Sequence, residues 1–198
     1  MRCYGEDGIL GRGVLSLAED EGGNLWAGAE SGLWRWEPGS PRLYRLPHSG
    51  RVFEIRDLSP TADGQMLIAT NDGMIRIVGD KAELHPTGGS ATPSIPSRIL
   101  RDRDGGLWIG TSGQGLLHVH QGRTDTFSRA DGLSTDNIFG LFEDREGNIW
   151  VATQGGIDRF RELPVTTVSA KQGLTNDVPW SVLAARDGSV WAAGRNGL

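Results

Sequence analysis

Cysteine is nearly missing from this sequence: Cys3 is the single one in 198 residues. No disulfide can form within the chain, and metal centres built on several thiolates are excluded. No apolar run approaches the roughly 20 residues of a membrane-spanning helix, so no membrane contact is expected of this chain. The segment from Met1 to Leu10 carries Glu6 and Asp7 and lacks the apolar stretch of a secretory signal. If the parent protein is exported, its signal is expected outside these residues. Basic residues are in deficit, 20 Lys and Arg against 25 Asp and Glu, for a net charge of -5. Nucleic acid is therefore not expected as a partner, because neutralising phosphates calls for a basic excess. Tyrosine is scarce at 2, whereas tryptophan reaches 7 and glycine 30. That balance suggests tight turns between short strands that pack large aromatics.

Laying the chain on itself shows why. Trp26, Trp108, Trp150 and Trp191 stand 82, 42 and 41 residues apart, with Leu67 midway across the first gap. Three residues before each of these five anchors stands a glycine: Gly23, Gly64, Gly105, Gly147 and Gly188. Six residues after stands another, Gly32, Gly73, Gly156 and Gly197, with Gly115 displaced by one insertion. Asp20, Asp102 and Asp144 occupy one position six residues before the anchor, replaced by Thr61 and Ala185 in the other copies. Leu17, Leu58, Ile99, Leu141 and Val182 keep the position nine before the anchor apolar. Agreement at independent offsets over five copies identifies an internal repeat of about 41 residues.

Each copy reads as a short apolar strand, an Asp/Gly turn, an anchor strand such as Leu107–Thr111, a second glycine turn and a third strand such as Gly156–Phe160. A weaker fourth strand shows at Pro41–Leu46 and Thr124–Ser128. The turn aspartate can accept backbone N–H bonds, and the glycine supplies the positive φ that closes a hairpin. No segment shows a 3.6-residue apolar period with caps, so no helix is expected. The fold class is therefore all-β: a β-propeller of four-stranded antiparallel blades, four complete and a fifth truncated. An open β-solenoid is the runner-up. Small residues two places after the anchor (Gly28, Ala69, Gly110, Ala152, Ala193) suit blades packed face to face. The repeats fall at about 8–48, 49–89, 90–131, 132–172 and 173–198, in one propeller region. The last copy stops at Leu198, and Arg2 to Tyr4 occupy the place of a preceding fourth strand. Two readings stay open: a five-bladed ring lacking one strand, or a fragment of a larger ring, towards which the reading leans.

The segment from Gly132 to Phe160 reads GLSTDNIFGLFEDREGNIWVATQGGIDRF. It closely resembles the two-component regulator propeller repeat, and the resemblance extends in weaker copies over the whole chain. The copy around Leu67 departs most, having lost the Trp, the Asp and the opening Gly-Leu. The resemblance implies the extracytoplasmic sensor region of a membrane-anchored signalling protein. The output in that family is a histidine kinase, a DNA-binding regulator or a diguanylate cyclase. A periplasmic or extracytoplasmic location and a small-molecule or oligosaccharide ligand follow as expectations. Streptogramin-inactivating lyases share the period, but their Leu-Trp-Phe-Thr-Glu becomes Leu-Trp-Ile-Gly-Thr and Ile-Trp-Val-Ala-Thr here.

Recognition in a propeller is expected at one mouth of the central channel, ten to fifteen residues before each anchor. The candidates there are Arg12, Asp57, Arg98, Asp136, Asn137, Asn176, Asp177 and Trp180. They sit where the copies disagree; Trp180 aligns with Leu15, Arg56, Ser97 and Phe139, so the frame does not demand an indole. His118 and His120 lie two apart on one strand and share a face, but no third ligand has a matching spacing, and solvated surface is expected. Asp20, Asp102 and Asp144 recur as one repeat position and are expected to pin the turn rather than bind calcium. The Gly88-Gly89 and Gly113–Gly115 stretches precede no helix and form no phosphate cradle. No Gly-x-Ser-x-Gly or His-Glu-x-x-His occurs. The expectation is a ligand-sensing propeller, not an enzyme, with no cofactor and no metal, self-associating through exposed blade edges. An assembly module without a small ligand and a propeller lyase are the alternatives.

Overall fold

A strand buried on both faces has no reason to alternate apolar with polar residues, and the anchor strands of the repeat do not. The computed structural model describes residues 13–36, 41–47, 54–61, 63–86, 94–161, 179–185 and 190–194. The first blade comprises β1 (Val14–Glu19), β2 (Leu25–Ala29), β3 (Gly32–Trp36) and β4 (Pro41–Tyr44). The second comprises β5 (Ile55–Pro60), β6 (Met66–Thr70), β7 (Gly73–Val78) and β8 (Lys81–His85). The third comprises β9 (Pro96–Arg101), β10 (Leu107–Thr111), β11 (Leu116–His120) and β12 (Arg123–Phe127). In each, neighbouring strands pair antiparallel in chain order, the meander of a propeller blade. The fourth blade shows β13 (Ile138–Glu143), β14 (Ile149–Thr153) and β15 (Gly156–Phe160). The fifth copy shows the hairpin of β16 (Pro179–Ala184) and β17 (Val190–Gly194). The fourth strand of copy four, the third strand of copy five and the segment Arg2 to Tyr4 lie outside the described residues. By internal contacts the chain forms two units, Met1–Arg161 with the first four blades and Glu162–Leu198 with the last hairpin.

Within the first unit, all five residues of β6 and of β10 are buried. Side chains of β6 divide by parity. Met66 and Ile68 join Trp26, Leu33, Ile55 and Leu58 in one core; Leu67 and Ala69 join Ile99, Leu107 and Ile109 in the next. On β10, Leu107 and Ile109 face back into that second core, while Trp108 packs with Leu133, Ile138, Ile149 and Val151 in a third. Trp26, Leu67 and Trp108 thus each belong to the layer shared with the following blade. The small residue two places later permits that approach: a Cβ on Gly110 would stand 2.5 Å from Ile138 Cγ2.

The aspartate of each turn does more than close a hairpin. Asp102 Oδ1 accepts from the N–H groups of Asp104 and Gly106, at 3.1 and 2.6 Å. Its Oδ2 accepts from the indole Nε1–H of Trp108 at 2.8 Å. Asp20 with Trp26, at 2.9 Å, and Asp144 with Trp150, at 2.7 Å, repeat the arrangement. Gly105, with φ +85°, donates to the Asp102 carbonyl and supplies the left-handed step. In the second blade Thr61 holds the turn through Gln65 N at 3.0 Å, and Leu67 presents no indole to satisfy. The second blade thus lacks both partners of the Asp–Trp hydrogen bond that the first, third and fourth blades share.

One turn of 3-10 helix, Arg129–Asp131, stands where no helix was expected. Ser128 caps it, its hydroxyl accepting from Ala130 N at 3.2 Å. Asp131 in turn accepts from Ser128 N at 2.9 Å. Leu133, two residues after the turn, packs in the third core.

Replacing Asp102 by Ala leaves Trp108 Nε1–H without its acceptor, a loss of about 1–3 kcal/mol for a buried polar group. Thr61→Ala, with no indole dependent on it, is expected to cost less. Urea unfolding followed by tryptophan fluorescence measures both, and equal losses would contradict the assignment.

Candidate functional site

The innermost strands are β1, β5, β9 and β13, each lying against the next. Their starting ends meet at one end of the blades. There, a backbone bond closes each blade: Glu30, Asn71, Ser112 and Gln154 donate to the carbonyls of Gly13, Glu54, Ile95 and Asn137. These eight residues occupy two repeat positions at which the frame uses backbone atoms. The side chains are free to differ, and they do.

Arg56 crosses from the second blade to the third, its guanidinium donating to Ser112 Oγ at 3.0 Å and lying 3.5 Å from Glu54. Asn71 Oδ1 accepts from Glu54 N at 3.0 Å. Asn137 Nδ2 donates to Gln154 Oε1 at 3.3 Å. Leu15 and Phe139, aligned with Arg56, are more than half exposed, at 57% and 56%. The result is a polar rim with an exposed aromatic, the kind of mixed lining in which small ligands are held.

Four of the eight sequence candidates can be placed by their side chains. Asp57 accepts from Ile99 N at 2.8 Å, joining the inner strands of the second and third blades. Burial pushes its carboxyl upward, against the pull of the Ile99 and Leu58 N–H groups and of the Arg98 charge. Arg98 donates back to the Arg56 carbonyl at 3.4 Å. Asp57 and Arg98 therefore come together and link blades. Asp136 and Asn137 form a second group: the Asp136 carbonyl accepts from Gly113 N and Gly115 N, at 3.1 and 2.9 Å, and its carboxylate accepts from Arg129 N at 2.7 Å. Arg12, Asn176 and Asp177 lie outside the described residues. So does the side chain of Trp180, although its backbone is part of β16. Sequence reasoning missed Glu54, Asn71, Ser112 and Gln154; the signal was available, since their repeat positions vary as much as those chosen.

His118 and His120 are not the solvated surface expected of them. His118 stacks on Trp108 with ring centroids 3.8 Å apart and planes 8° apart, and His120 stacks on His118 at 4.4 Å. Each Nε2 meets a different carboxylate, Asp102 at 3.4 Å and Asp125 at 2.7 Å. Stacked rings with separate partners do not converge on one ion, and no cluster of metal-ligating side chains occurs among the described residues. The register explains the geometry. Trp26 pairs with Arg35, Leu67 with Arg76, Trp150 with Arg159 and Trp108 with His118. Arg35 and Arg159 lie over their indoles at 5.1 and 5.4 Å. His118 takes the arginine's place, and the single insertion before it hid the equivalence from a plain count along the chain. Burial and the neighbouring His120 lower the pKa of His118 from 6.5, outweighing the pull of Asp102 and Asp125. At Asp144, burial opposes ionisation, but donors from Trp150, Asn148 and Glu146 hold the carboxyl down to about 2.

The first unit is thus a set of β-propeller blades whose variable side chains gather at the ends of the inner strands. The family model described as two component regulator propeller matches residues 89–113 and 132–155. Among solved structures, the chain resembles the extracellular domain described for a hybrid two component system of B. thetaiotaomicron, with TM-score 0.67 and 22% identity. That match covers 93% of this chain and 27% of the other. A second such domain from the same organism gives TM-score 0.63 and 25% identity over 91% of this chain and 28% of that one. The chain therefore spans little more than a quarter of either domain. The virginiamycin B lyase of Staphylococcus aureus gives TM-score 0.60 over 93% of this chain and 64% of that one; at 18% identity the likeness is one of fold. No curated protein matches the chain.

With the folded pKa of His118 below 6.5, the unfolded chain binds the extra proton as pH falls through that value, and stability falls with it. His85, lowered by burial and then by Arg76, contributes in the same direction. His118→Arg restores the repeat's permanent cation and is expected to flatten the stability profile between pH 8 and pH 5.5, leaving only the His85 share. Chemical denaturation across that range measures it; an unchanged slope would remove His118 from the account.

Proposed function

We propose that the chain is part of a ligand-sensing propeller from the extracytoplasmic region of a bacterial signalling protein. On this reading it binds a small solute, a short oligosaccharide being the favoured class, and does not turn it over. The observation that carries the reading is the rim where the inner strands begin. Arg56, Ser112, Asn71, Asn137 and Gln154 come from three blades, occupy positions the repeat does not prescribe, and stand beside exposed Phe139. The family of the repeat and the description of the B. thetaiotaomicron domains as extracellular support the location and the sensor role. No helix among the described residues is long and apolar enough to cross a membrane. Binding would act by favouring one packing of neighbouring blades, since Arg56 and Asp57 both reach the third blade, and the bias would pass to a membrane-linked output.

A panel of neutral oligosaccharides screened by thermal shift tests this. At least one is expected to give a saturable rise in Tm, and Arg56→Ala is expected to weaken it by about tenfold, the loss typical of a charge-assisted hydrogen bond. A panel without binders, or an Arg56→Ala chain that binds as the parent does, would overturn the proposal.

Self-association has its own support. Leu17 is 63% exposed, whereas its equivalents Leu58 and Ile99 are each 6% exposed beneath a neighbouring blade. With Val14 and Leu15 it leaves an apolar blade face that a second copy would cover. Sedimentation velocity is expected to show a concentration-dependent dimer that Leu17→Glu abolishes; a monomer at all concentrations would exclude it.

A further inference from the structure

At the opposite end of the inner strands, where the Asp turns lie, a cleft of about 630 Å³ opens between the first, second and third blades. This is within the range of small-molecule sites. Its walls differ in sign. The first blade contributes Glu19 and Glu21, the third Arg101 and Arg103, and Pro60 and Thr61 of the second lie between them. The four charges occupy the positions immediately before and after the turn aspartate. Asp20 and Asp102 have both oxygens engaged by turn N–H groups and an indole. The flanking residues carry no such duty, and across the first four copies they read Glu/Glu, Pro/Ala, Arg/Arg and Glu/Arg.

Not all of this charge is available. Arg103 is turned towards the fourth blade, where its Nε pairs with Glu143 and its terminal nitrogens donate to the Asp144 and Arg145 carbonyls. Arg101, Glu19 and Glu21 are exposed, and none has an ion-pair partner among the described residues. Asp63, the carboxylate that senses Arg101, is held by the Thr61 hydroxyl and the Gln65 amide. One exposed guanidinium and two exposed carboxylates, none in an ion pair among the described residues, thus line the same cleft from different blades.

We propose that this cleft is a second binding site, specific for a short zwitterionic solute of the kind a small peptide represents. Its carboxylate is taken by Arg101 and its ammonium by Glu19 and Glu21. An extended tripeptide spans about 10 Å between its termini, a length in keeping with a cleft that reaches from the first blade across the second to the third. Opposed fixed charges select the orientation and reject solutes of single sign. The site is independent of the polar rim at the other end, so either can fail without the other.

The test is a titration of the 198-residue chain with triglycine, followed by amide chemical shifts in two-dimensional NMR. Shifts are expected at Thr61 and Gly105 and not at Gly113 or Asn137. N-acetyl-triglycine amide, which carries neither charge, is expected not to bind. Arg101→Glu and the Glu19→Arg/Glu21→Arg pair should each weaken triglycine by about tenfold. The triple exchange of Glu19→Arg, Glu21→Arg and Arg101→Glu should restore binding with the peptide reversed, which also shows that the exchanges leave the fold intact. Absence of shifts, equal binding of the blocked peptide, shifts at the Gly113 end, or failure of the triple exchange to recover binding would each overturn the proposal.

Discussion

An indole nitrogen carried into the layer between two sheets must donate to something, or its burial costs more than its ring contributes. For Trp26, Trp108 and Trp150 the acceptor is the same atom, Oδ2 of the aspartate six residues earlier. The other oxygen of that carboxylate has meanwhile closed the hairpin on which the indole sits. Turn geometry and interblade packing are therefore coupled through one side chain. That coupling accounts for Asp and Trp standing together in three copies and for both being absent at Thr61 and Leu67, whereas the fifth copy keeps Trp191 with Ala185 in place of the aspartate. The second blade keeps its place without them because β6 supplies five fully buried residues and needs no polar partner within the layer.

From that constraint the rest of the layer follows. With anchors committed to the forward face, the backward face of each central strand falls to aliphatic residues such as Ile68 and Ile109. Two places beyond the anchor only Gly or Ala fits, because the first strand of the next blade lies against it; at Gly28 and Gly110 the neighbours are Ile55 and Ile138. Across the third strand the indole anchors pair with Arg35, Arg159 and His118; the two arginines lie over their indoles, and the His118 imidazole stacks closer on Trp108. The repeat's consensus is thus a list of groups that the layer cannot do without.

This is why the fold was legible in the sequence and much of the rim was not. Gly, Trp and Asp recur because packing and backbone geometry demand them in every copy, so spacing alone exposes the blades. Asp57 and Arg98 stand out in the sequence as departures from the frame. Their divergence, however, serves contacts between one particular pair of blades, through Ile99 N and the Arg56 carbonyl, which no comparison of copies can reveal. The surroundings of His118 were hidden for a different reason. A one-residue insertion shifted it out of line with Arg35 and Arg159, and strand register, not count, restores the equivalence.

Divergence between repeats therefore has two sources, and geometry separates them. A side chain that differs from its equivalents and reaches a neighbouring blade, as Arg103 reaches Glu143 and Asp57 reaches Ile99, fixes the order in which blades pack. A side chain that differs and reaches nothing is under no constraint from the frame, so its identity is open to selection by what lies outside. Arg56 stands between these cases, half committed to Ser112, which suits a residue that both recognises a solute and senses the adjacent blade. Arg101, Glu19 and Glu21, exposed and without an ion pair among the described residues, belong to the second class. Opposite charges left apart at the turn end, one step from aspartates that bind only their own blade, are what a repeat scaffold offers when its own bonds are complete.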